Sequence, residues 1–173
     1  MIAAAIQWAN LRLEVDPTTG EPVRDAKAYG IPDADAAALE VALVLADRWG
    51  TDVLAVTAGP VAAEQALREA LAVGAARAVR VDLPDDASQA EIATAIGPVV
   101  AGAAIVCGGA AGPDRASGAT PAFLAHRLGA AQALGLVSIE PGPVGQVTAI
   151  RRLDGGRRER VRLMAPGVLT VEG

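Results

Sequence analysis

The chain has 173 residues, a formal net charge of -5 and an apolar fraction of 52%, enough for one domain with a substantial core. No charge-free run reaches the roughly 18 residues of a membrane span, and no basic segment precedes a cleavable apolar stretch, so the chain is expected to be cytoplasmic. Acidic balance without a basic, ring-studded stripe argues against nucleic acid as a partner.

In chain order, residues 2–8 predict an apolar strand and residues 10–32 a long irregular excursion with turns at Asp16-Pro17 and Thr19-Gly20. Leu39, Ala42, Leu43 and Ala46 recur at helical spacing within 35–49, and Gly50 ends that helix. A buried strand over 52–58 turns at Gly59-Pro60 into a helix over 61–73, supported by a Glu64–Arg68 pair one turn apart and stopped by Gly74. Residues 77–82 form a third strand, 88–100 a third helix, and 103–107 a fourth strand. A small-residue loop leads to a helix over 118–128 closed by Gly129. Beyond Gly135 the pattern changes to strands over 136–139, 146–153 and 158–164, with a turn at Asp154-Gly155-Gly156 and a further short strand over 168–171. Alternating strands and helices predict an α/β fold, a three-layer parallel sheet with helices on both faces, followed by C-terminal antiparallel strands.

Side-chain chemistry is thin. Cys107 is the single cysteine and His126 the single histidine. An internal disulfide, a cysteine metal cluster and a paired-histidine metal site are thereby excluded, and no catalytic residue is assigned. In open α/β sheets ligands bind beyond the carboxyl ends of the strands, where crossover direction reverses. The loop from Gly108 through Asp114, Arg115, Ala116 and Ser117 to Gly118 joins a strand to a helix there. Its glycines permit close backbone approach. The free N–H groups near Gly118, Ala119 and Thr120 predict an anion site at the helix start, with Ser117 as cap or phosphate donor and Arg115 adding charge. The competing reading is a plain strand-to-helix connection. Ala5 and Gln7 after the first strand, and Ala58 after the second, would converge on the same crevice. Six of the fourteen arginines, Arg151, Arg152, Arg157, Arg158, Arg160 and Arg162, flank the Gly155-Gly156 turn. They read either as a solvated hairpin face or as a partner or phosphate contact.

Residues 67–79 are similar to the LREALAMGADRAV stretch of electron-transfer flavoprotein β subunits. Further blocks agree in order: residues 14–20, Asp35 with Ala38-Leu39-Glu40, residues 56–60, the loop 107–123, and the hairpin leading into residues 165–171. The loop over 114–125 looks closest to an actinobacterial branch associated with mycofactocin redox systems. This resemblance implies an adenine-nucleotide α-hydrolase-like fold and a non-enzymatic electron-carrier subunit. It implies AMP, or in some members FAD, held by Ala5, Gln7, Asp35, Ala58, Gly108 and the 114–118 stretch. It also implies a flavoprotein α subunit carrying FAD as partner, and acyl-CoA or other dehydrogenases as electron donors. Three departures stand out: Gln7 replaces the family's lysine, Pro32-Asp33 its Asn-Pro, and the chain, a single domain over 1–173, ends without the family's C-terminal segment. Two other readings stand beside it: an ATP-binding or ATP-hydrolysing domain of the same architecture, and a structural subunit with a decayed pocket.

Overall fold

A computed structural model describes residues 1–23, 25–113 and 118–173. The first strand, β1 (Ile2–Ala5), leads into a two-stranded antiparallel ribbon of β2 (Ala9–Asn10) and β3 (Tyr29–Gly30). Next come α1 (Asp33–Trp49), β4 (Val53–Gly59), a short 3-10 turn over Val61–Ala63, and α2 (Glu64–Ala72). β5 (Arg77–Asp82), α3 (Gln89–Val100), β6 (Ile105–Gly109) and α4 (Thr120–Leu128) complete the alternating part. The chain finishes with β7 (Ala131–Pro141), β8 (Gln146–Arg152), β9 (Arg158–Met164) and β10 (Gly167–Val171).

Eight strands form one sheet in the order β5-β4-β1-β6-β10-β7-β8-β9. Helices α1 and α2 cover one face, burying Leu39, Leu45 and Leu67 against Ile2, Ala55 and Leu169. Helices α3 and α4 cover the other, where Ile96, Val100 and Leu124 meet Ala3, Val56 and Val106. Alanine is prominent in both layers, with leucine beside it under α1 and α2 and valine under α3 and α4, so the helices pack close. The local stops follow from the residues. Gly50 and Gly129 adopt φ of 62° and 58° and return their N–H groups to the last turns of α1 and α4. Ser88 and Glu91 form a reciprocal capping box that fixes the start of α3.

The α/β sandwich matches the sequence expectation, although the first strand is Ile2–Ala5 rather than 2–8 and the expected irregular excursion carries the β2–β3 ribbon; two further details differ. First, β10 is not part of the antiparallel set: it lies between β6 and β7 and runs parallel to both. All five of its residues are buried, as a strand covered on both faces requires. Second, β7 is eleven residues long, against four expected. Its early residues pair with β10 and its later ones with β8. Around the changeover Gly135 takes φ of 66° and donates its N–H to the Thr170 hydroxyl at 2.9 Å. That kink interrupts the alternation on which a strand is read.

Candidate functional site

Strand β1 lies between β4 and β6. The chain crosses one way through α1 to β4, and from β5 it returns through α3 on the opposite face to β6. The reversal opens a crevice at the carboxyl ends of β1, β4 and β6, as expected at such a switch point. It holds a cleft of about 300 Å³.

The cleft floor is made of small residues in register. Ala5 pairs with Val56 on one side and with Gly108 on the other, and Ala58 follows Val56 on β4. Ala5, Gln7, Ala58, Gly108 and Gly118 all line the cavity. Asp35 does not. It sits buried in the first turn of α1, where a carboxylate oxygen accepts the Gly109 N–H at 3.1 Å. A side chain on Gly109 would collide with that carboxylate, since its Cβ would fall 2.9 Å from Asp35 Oδ1. Asp114, Arg115, Ala116 and Ser117 lie outside the described residues.

One expectation needs correction. The amides of Ala119 and Thr120 are not free for an anion, because Gln89 Oε1 accepts both, at 2.5 and 2.8 Å. The cause is local. Ala119, the cap residue of α4, has no side-chain acceptor, and a helix start with orphan donors recruits one. Gln89, held at the first position of α3 by the Ser88–Glu91 box, supplies it from across the cleft mouth. The box was visible in the sequence as Ser-x-x-Glu; the reach of Gln89 to another helix was not.

Among the described residues lining the cavity none is Lys, Arg or His, and Asp85 is the acid there. Arg80 anchors the exit of β4 by donating to the Gly59 carbonyl at 2.9 Å, and it pairs with Glu64 and Asp82. Cys107 is fully buried beneath the floor, and burial pushes its thiol pKa far up. It is neutral at physiological pH. The ribbon contributes what the sequence reading overlooked: Trp8, Asn10 and Tyr29 form part of the lining.

The described residues hold no group of histidine, cysteine and carboxylate side chains suited to a metal ion, and no helix among them is long and apolar enough to cross a membrane. Residues 22–173 match the electron transfer flavoprotein domain model. The chain belongs to the electron transfer flavoprotein family. Its similarities fall on the β subunit. It is 31% identical over 157 residues to an electron transfer flavoprotein subunit beta of Methylophilus methylotrophus, covering 86% of this chain and 59% of that protein. It is 33% identical over 148 residues to the corresponding subunit of Mycobacterium bovis, covering 77% and 53%. A shorter block of 68 residues is 47% identical to Protein FixA of Rhizobium meliloti, covering 39% of this chain and 23% of that protein. This electron transfer flavoprotein β-type chain thus spans little more than half the length of the long-matching relatives.

Proposed function

We propose that the chain is the nucleotide-holding β-type portion of an electron transfer flavoprotein. It binds AMP as a structural ligand, pairs with an α subunit that carries FAD, and makes no or breaks no covalent bond itself. The bound flavin would supply the electron-carrying chemistry, while this chain positions and insulates. The observation that carries the reading is the cleft of small residues at the β1–β4–β6 switch point in a chain of this family. Its volume of about 300 Å³ falls at the small end of ligand sites, roughly 300–1,000 Å³. Ala5, Ala58 and Gly108 leave space for a base or ribose, and Gln7 offers a neutral polar contact. Dehydrogenases of the acyl-CoA or another class would donate the electrons.

The test is direct. Folded protein should carry an adenine nucleotide, identified by mass spectrometry, or take up AMP in calorimetry, and should hold flavin only together with its α subunit. Metal-dependent ATP turnover by the chain alone would support the ATPase-like alternative instead.

A second reading is favoured by one observation. Gln89 occupies the amides of Ala119 and Thr120, as a subunit with a decayed pocket would. Under that reading calorimetry with AMP gives no heat, and the chain serves as scaffold alone.

A further inference from the structure

The chain has four aromatic side chains in 173 residues, Trp8, Tyr29, Trp49 and Phe123. Two of them, Trp8 and Tyr29, line the cleft. Their ring centroids are 6.3 Å apart and the planes are tilted by 33°, within the range in which aromatic pairs attract. The ribbon sets this pair. Asn10 faces Tyr29 and Ala9 faces Gly30, and Leu11 N–H bonds the Ala28 carbonyl at 2.8 Å, so the residue before the ribbon and the residue within it approach each other. Both rings are only partly buried. Trp8 also packs against the core beneath α1, which is built mostly from Ala, Val, Leu and Ile. No cationic side chain is among the described lining residues.

Resting on the nucleotide-binding reading, we propose that Trp8 and Tyr29 form the stacking wall for the base of the bound nucleotide, with Trp8 the residue that selects a planar aromatic ligand. Every base presents a π face, and stacking on a protein ring is worth about 5- to 100-fold in affinity per base. The ribbon then acts as a roof whose underside recognises flatness, while the strand ends below tolerate it.

Trp8 is its own reporter. The other indole, Trp49, lies at the far end of α1 and donates its Nε1–H to the Gly142 carbonyl at 3.1 Å. In the full chain freed of nucleotide, tryptophan emission should change saturably on titration with AMP, with the midpoint found by calorimetry. Ribose 5-phosphate, which lacks a base, should leave the emission unmoved. The change should vanish in Trp8→Phe, which keeps a ring and most of the affinity. Trp8→Leu should weaken AMP binding by about 5- to 100-fold. Calorimetric binding of AMP with no change in emission, an equal response to ribose 5-phosphate, or unchanged affinity in a folded Trp8→Leu variant overturns the proposal. Should Trp8→Leu fail to fold, the emission titration of the unaltered chain still decides. An absence of heat with AMP overturns the nucleotide reading itself, and the stacking wall with it.

Discussion

The two walls of the cleft are built on opposite plans. The floor, at the ends of β1, β4 and β6, is backbone against backbone. Gly109 lies against the Asp35 carboxylate, and a Cβ on Gly118 would fall 2.1 Å from the Ala110 carbonyl oxygen. The roof is a ribbon of two residues per strand, flanked by the exposed apolar side chains Leu11, Leu13, Val15 and Val23. Tight packing tolerates almost no substitution, whereas a lightly held element opens at small cost. The floor therefore carries the architecture, and under the stacking proposal contact with the base falls to the roof.

Gly118→Ala should strike hardest. The position has φ of 53° and no room for a methyl group, so strain and overlap add. We expect a loss of at least about 2 kcal/mol in urea denaturation; a variant as stable as the parent would show that the loop neck is loose and the contrast false. Asp35→Ala comes next. It leaves the buried Gly109 N–H without its carboxylate, and an expected cost of about 1–3 kcal/mol should appear without any change in the emission response of Trp8 to nucleotide. A variant with parental stability and altered nucleotide response would move Asp35 from the floor to the binding surface.

The floor was largely legible in the sequence. Small residues at three apolar strand ends, Ala5, Ala58 and Gly108, suffice to mark a crevice once the strands are read as parallel. Two things were not legible. The role of Asp35 depends on a contact with Gly109 across 74 positions, which no local pattern encodes; a first-turn acid looks the same whether it faces solvent or a buried amide. The roof was hidden because its strands are two residues long, too short for any period to show, and so Trp8 read as the end of the first strand and Tyr29 as part of an irregular excursion. β10 was read as an appended strand for a related reason. Its neighbours are fixed by the path of the whole chain, not by its own five residues.

Gln89→Ala tests the bridge between α3 and α4 at the cleft mouth. Removing the carboxamide strips Ala119 and Thr120 of their acceptor and should cost about 0.5–1.5 kcal/mol. The same change clears the helix start, so AMP affinity should rise if the nucleotide's phosphate competes for those amides. Unchanged affinity would place the phosphate elsewhere and leave Gln89 a purely structural cap.

The smallest effect concerns the capping box that sets Gln89 in place, and it has a definite sign in pH. Ser88's side chain, and then its backbone N–H, hydrogen-bond the Glu91 carboxylate and hold its pKa below the ordinary value. A carboxyl group with a lowered folded-state pKa adds stability above its unfolded pKa, and that contribution fades as pH falls through the folded value. The advantage of the parent over Glu91→Gln, which imitates the protonated acid, should accordingly be present at pH 7 and shrink below about pH 4.5 as the carboxylate takes up its proton. Comparing urea midpoints of the two proteins at pH 7 and pH 3 checks this. A gap that persists at pH 3 means Glu91 acts through packing, not charge. In that case the position of Gln89 across the cleft mouth is insensitive to acid. If instead the gap closes, acid loosens the start of α3 and with it the grip on Ala119 and Thr120, so α3 and α4 part first at the cleft mouth.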